Sequence, residues 1–125
     1  PKGRGLCWID LDTIGLMPIL AEWGDALRSW CNTHAEDDPN ARFDEAIFRE
    51  ATRGARSLGN FDYGDAVLMQ ATLTISCELA CRFGADVLNE SYFSFDTERF
   101  ARSAEHQLQR VIAQLSFAQS IAQRL

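Results

Sequence analysis

AVLMQATLTISCELACRFGADVL, residues 66–88, decides the fold. Between Ala66 and Leu88 only Glu78, Arg82 and Asp86 are charged. The apolar residues fall into two stripes at helical spacing. One is Met69, Leu73, Cys77, Ala80, Gly84 and Val87; the other is Leu68, Ala71, Ile75, Leu79 and Phe83. A helix that is apolar over most of its circumference must be covered on more than one side, so the rest of the chain is expected to supply helices that pack around it. Asp62 and Asp65, just upstream, suit a helix start through capping and the helix dipole.

The C-terminal side continues the pattern. A linker from Asn89 to Phe95 holds Tyr92, Phe93 and Phe95, and Asp96 then caps a last helix that runs to the end of the sequence. In that helix Ala101, Ala104, Leu108, Val111, Leu115, Ala118, Ala122 and Leu125 follow an unbroken 3-4-3-4-3-4-3 spacing, which reads as a coiled-coil-type seam. On the N-terminal side, Pro18 fits a first helical turn, and Leu20, Trp23, Leu27, Trp30 and Cys31 repeat at helical spacing as far as Asn32-Thr33-His34. Glu36-Asp37-Asp38-Pro39 forms a turn whose Asp-Pro pair reads as N-cap and N1 of another helix, with Phe43, Ile47, Ala51, Ala55 and Leu58 inward and Gly59-Asn60 as its C-cap. Leu6 to Gly15 alternates Cys7, Ile9 and Leu11 against Trp8, Asp10 and Asp12, which reads either as a short extended stretch or as a lead-in to the first helix. The expectation is an all-α, single-domain bundle of about four helices spanning residues 1–125, with residues 1–6 flexible.

Composition narrows the function classes. At 125 residues with 46% hydrophobic content, one compact core is expected. Twelve basic against eighteen acidic residues leave a net charge of −6, which repels phosphate backbones and anionic membranes, so neither nucleic acid nor membrane is expected as a partner. No run approaches the roughly 20 apolar residues of a membrane span, and Pro1-Lys2-Gly3-Arg4-Gly5 lacks a secretory apolar stretch, so a cytoplasmic location is expected. Cys7, Cys31, Cys77 and Cys81 are too few and scattered for a disulfide framework and read as reduced thiols.

Four constellations could carry chemistry. Trp8-Ile9-Asp10-Leu11-Asp12-Thr13 resembles the first motif of haloacid-dehalogenase-type phosphatases, which implies a nucleophilic Asp10 and an acid/base Asp12; that fold needs parallel strands, nothing after residue 15 reads as strand, and capping by Asp12 is the simpler reading. Cys31-x-x-His34 and Cys77-x-x-x-Cys81 place two ligand pairs a turn apart on two helices, a conceivable tetrahedral site, although buried thiols suit the apolar surroundings better and no metal or other cofactor is expected. Arg99-x6-His106 and Arg28-x5-His34 fit the loose arginine–histidine spacing of HEPN ribonucleases, which are small all-helical dimers, but Phe100 stands where that family has a polar residue. Arg42, Arg49, Arg53 and Arg56 share one helical face, yet Asp44, Glu45 and Glu50 lie on the same helix, so a salt-bridged surface is expected there.

With no catalytic residues assigned, the leading expectation is a non-enzymatic regulator that binds a protein partner. Tyr92, Phe93, Phe95 and Phe117 are the candidate anchors for that partner, with a satellite core as the competing reading of the linker aromatics. Ala104, Leu108, Val111, Leu115, Ala118, Leu79 and Phe83 are the candidate self-association residues of a homodimer. In size, acidity and helical class the chain resembles small bacterial antiactivators of LuxR-type quorum-sensing regulators, which implies a transcription factor as partner; toxin-immunity proteins share the same build. A HEPN-like ribonuclease or toxin-type enzyme is the alternative from another class, and it turns on His106.

Overall fold

The computed structural model describes residues 14–59 and 61–125. The alternating segment, the Trp8–Thr13 motif, Cys7 and the opening residues 1–6 lie outside the described residues, apart from Ile14 and Gly15 at the end of that segment. The fold is an all-α bundle of four helices: α1 (Ile19–Trp30), α2 (Glu45–Ser57), α3 (Asp65–Asn89) and α4 (Ser103–Ala122). Among the described residues the only β-type pairing is an isolated bridge between Asn32 and Phe43.

α3 is the central element, with α4 and α1 packed along it and α2 against α1. Glu90, in the left-handed conformation at the end of α3, accepts from the Ala104 N–H at the start of α4, so the two helices run antiparallel. The crossing of α1 over α3 depends on Gly24. A Cβ placed there would lie 2.7 Å from the Ala71 carbonyl oxygen and 2.9 Å from Ile75, so only a residue without a side chain lets the backbones approach this closely. Leu27, Leu68 and Met69 fill the core beside this crossing, and Trp23 leans on Phe61 with ring centroids 4.4 Å apart.

The second helix begins later than expected. Asp44, not Asp38, is its N-cap, and its Oδ1 accepts from the Ile47 N–H at 3.0 Å. Asp38-Pro39 belongs to a closed loop instead, where the Asp38 carboxylate accepts from the Asn40 N–H at 2.8 Å. The loop is closed by the Asp44 N–H donating to the Cys31 carbonyl at 2.8 Å, and pinned to α4 by the Phe43 N–H donating to Ser120 Oγ at 2.8 Å. Phe43 and Ala55 of the expected face are buried and Ile47 and Ala51 are partly buried against the core, but Phe48 and Thr52 take the centre of the inward face and Leu58 is exposed. Phe48 packs on Phe43, which in turn meets Phe117 of α4, linking α2 to the far side of the bundle through the loop before it.

Gly24→Ala should destabilise the fold by roughly 1–3 kcal/mol, because a methyl group there must push α1 off α3. Urea denaturation of the two proteins compares them directly, and equal midpoints would contradict the close crossing.

Candidate functional site

The fourth helix carries the two features that could be functional, on opposite faces. Its inward face is polar in the first two turns: Ser103, His106 and Gln107 are buried. His106 and Gln107 meet the 90–102 connection, and His106 also the 31–44 loop, and irregular backbone needs hydrogen-bonding partners when it is covered. Gln107 Nε2 donates to Ser103 Oγ at 3.2 Å and reaches the Phe93 and Ser94 carbonyls at 3.4 Å. Arg110 donates to the Ser94 carbonyl at 2.9 Å and pairs with Glu36 at 3.1 Å.

His106 is the centre of this group. Its Nδ1 accepts from the Asp96 N–H at 3.1 Å, which places the ring hydrogen on Nε2, 3.2 Å from Asp37 Oδ2. The same carboxylate oxygen meets Arg99 Nη1 at 2.7 Å, and Phe100 stacks on the imidazole at 4.4 Å between centroids. Arg99 and His106 are thus brought together through Asp37, a residue that sequence spacing did not connect to them. A cleft of about 400 Å³ beside them is lined by Asp37, Arg99 and Phe100, while the imidazole lies behind, 5% exposed. A general base needs a free ring nitrogen within reach of substrate. Here one nitrogen is held by backbone and the other faces a carboxylate, so the ring ties three chain segments together. The second arginine–histidine pair does not form: Arg28 pairs with Asp25 at 2.8 Å, and His34 sits on the exposed loop.

Burial holds the His106 pKa below the ordinary imidazole value, helped by the Arg110 charge and, more weakly, Arg99, against the opposing pull of Asp37. A lowered pKa means the unfolded chain takes up the proton first. The stability of this contact is therefore complete above the ordinary imidazole range and is lost as pH falls through it towards the folded value. Urea midpoints at pH 8 and pH 5 should fall on acidification in the native protein and fall less in His106→Gln, whose amide can still accept from Asp96.

The connection after α3 is organised by another buried carboxylate. Asp86 accepts from the backbone N–H groups of Ser91, Tyr92 and Phe93 at 2.9, 2.8 and 3.0 Å. The Phe93 and Ser91 bonds hold its carboxyl below the usual range against the opposing effect of burial. This fixes the aromatic group. Phe93 is half-buried against Phe83 at 4.6 Å, Phe95 is half-buried, and Tyr92 stands 71% exposed beside Arg82. Phe117 is a correction: it is 1% exposed and packs in the core on Phe43, so it is not a surface anchor.

The α4 seam is corrected in the same way. Its packing face is Ser103, His106, Gln107, Ala113, Gln114, Phe117, Ala118, Ser120 and Ile121, and of the apolar seam only Ala118 belongs to it, the rest lying outward or at its border. Leu108 and Leu115 are 49% and 50% exposed, joined by Ile112 at 40%, while Ala104 and Val111 are half-buried along the α3 border. Of the other self-association candidates, Ala118, Leu79 and Phe83 are buried within the chain. On α3, Leu88 is exposed, and so are Cys77 and Cys81. Cys31 is fully buried, and burial with the nearby Asp44 carboxylate pushes its thiol up to about 12. The two ligand pairs therefore do not meet, and no group of three or more metal-ligating side chains comes together among the described residues. On α2, Arg49 pairs with Glu45, Arg53 with Glu50, and Arg56 with Asp65, which leaves a salt-bridged face. Among the described residues no helix is long and apolar enough to cross a membrane. No protein-family model matches the chain, and no solved structure matches it significantly.

Proposed function

We propose that the protein is a non-enzymatic regulator that binds a protein partner through the outer face of α4, and that it pairs with a second copy of itself through the same kind of apolar helix surface. One observation carries this reading. Leu108, Ile112 and Leu115 are exposed on successive turns, and the ionisable side chains within α4 beyond Glu105, His106 and Arg110, are both turned inward. A row of exposed aliphatic side chains without charge is costly in water and favours association with a helix or groove of similar character. Tyr92, exposed beside Arg82, supplies a separate aromatic contact of the type enriched at interface centres. The engagement of both His106 nitrogens weighs against the ribonuclease alternative. The resemblance in size, acidity and helical class to antiactivators of LuxR-type regulators favours a transcription factor as the partner class, with inhibition by covering the partner's own interaction surface.

The test compares the native protein with a Leu108→Lys/Leu115→Lys variant. Captured partners should be lost from the variant, and measured affinity should fall at least tenfold, which corresponds to about 1.4 kcal/mol. The melting temperature should be unchanged because both side chains are half exposed. Sedimentation equilibrium at micromolar concentration reads the self-association, with a dimer expected for the native chain and a 14.0 kDa monomer for the variant. Retained partner affinity in the variant would remove this face from the interface. RNA cleavage that disappears in His106→Ala would replace the regulator reading with the enzyme.

A further inference from the structure

Cys31 is sealed in the core, but Cys77 and Cys81 remain as a pair, both exposed on α3 and one helical turn apart. They stand outside the face that α3 buries, and Thr74 and Ala85, the exposed residues before and after them along the helix, are small and leave both thiols open. Side chains at i and i+4 of a helix have Cβ atoms about 5–6 Å apart. A disulfide needs its Cβ atoms at about 3.8 Å, so the two thiols cannot bond to each other while the helix stays regular. The same spacing leaves room for one atom between them. With the zinc–thiolate length of about 2.3 Å as a guide, a linear sulfur–metal–sulfur unit spans roughly 4.6 Å, and rotation about the Cα–Cβ bonds brings the sulfurs to that separation.

The number of ligands selects the ion. Zinc takes four protein ligands in structural sites and three in catalytic ones, and among the described residues no third His, Cys, Asp or Glu joins the pair. Magnesium and calcium are hard cations and require oxygen ligands. Thiolates select soft ions, of which Cu(I) is the biological example, and a closed-shell ion of that kind is complete with two thiolates in line. Binding one such cation releases a proton from each thiol, so the bound unit carries a single negative charge. Glu78 and Arg82, on the same two turns, pair with each other at 3.8 Å, and their charges offset beside the site.

We propose that Cys77 and Cys81 form a two-coordinate thiolate site for a soft monovalent cation of the Cu(I) class on the outer side of α3. The site uses none of the α4 residues proposed for partner binding, and the two proposals stand or fall separately.

The test is an anaerobic titration of the reduced full chain with Cu(I), supplied as its acetonitrile complex in competition with a chromophoric Cu(I) chelator. The native protein should take up one ion per chain, with a thiolate-to-copper charge-transfer band in the ultraviolet and a first shell of two sulfurs by X-ray absorption. Cys77→Ser or Cys81→Ser alone should weaken binding by about a hundredfold or more, because either change removes the intramolecular second bond. The melting temperature should stay at the native value, since both side chains are exposed. Cys77→Ser/Ala85→Cys sets two thiols one turn apart again, at positions 81 and 85, and should restore binding, whereas Cys81→Ser/Ala85→Cys leaves them two turns apart and should not. Native-strength binding in either single serine variant would overturn the proposal, as would failure of the one-turn pair at 81 and 85 to recover it. Sedimentation showing one ion shared between two chains would overturn the intrachain site as well.

Discussion

Everything in this bundle follows from the burial problem of α3. A 25-residue helix with apolar side chains around most of its girth has two helices packed along it, α4 and α1, and two flat partners cannot enclose a cylinder. The buried side is Leu68, Met69, Thr72, Ser76, Leu79, Ala80 and Phe83, and the two hydroxyls in its middle are accommodated because each donates back to a carbonyl one turn earlier. This lets α3 present small side chains to its neighbours, and Gly24 completes the close approach from α1. The side away from both neighbours keeps Cys77, Cys81 and Leu88 in solvent.

The orientation of α4 is the less obvious consequence. Hydrophobic pattern alone would turn Leu108 and Leu115 inward, but helix rotation is a competition between apolar burial and the satisfaction of covered backbone groups. The connection between α3 and α4 folds over the start of α4, held from one side by Asp86. The Phe93 and Ser94 carbonyls and the Asp96 N–H need partners from the other side, and Gln107, Arg110 and His106 supply them. An unmet buried polar group costs about 1–3 kcal/mol, and several would be left together if α4 turned half a revolution. Farther along the helix, Phe117 and Ile121 occupy the same inward face and fill the core against Phe43 and Phe48. Both ends of α4 therefore favour one rotation, and the aliphatic seam is left outside as a by-product of that choice.

The four helices and the long apolar α3 were readable from periodicity, since α-helical spacing persists over many turns and little else produces it. The start of α2 was misplaced because Asp38-Pro39 and Asp44 both satisfy capping chemistry, and only the contact of Phe43 with Ser120, 77 residues away, decides between them. On α4 two interleaved 3-4 patterns coexist, one aliphatic and one largely polar, and periodicity ranks the aliphatic one first. Phe117 and Ile121 were the local sign of the other, being large apolar residues off the aliphatic seam. Asp37 carried no sequence signal at all: nothing in a turn rich in acidic residues marks the one that will be buried against His106 and Arg99.

The same polar fastening bears on how the proposed binding face would work. A helix whose rotation is fixed at one end by hydrogen bonds and at the other by aromatic packing presents its outer side chains in a single arrangement, so little ordering is required on association. The exposed leucines lose rotamer freedom, but the backbone beneath them does not. The overall charge of −6 adds a long-range preference for a basic partner surface around an apolar centre. Charge of that sign on both copies opposes self-association, so a homodimer would depend on apolar burial alone, whereas a basic partner would gain from both. If the outer face of α4 is an interface as proposed, a basic foreign surface would therefore win over a second copy wherever the two compete for it.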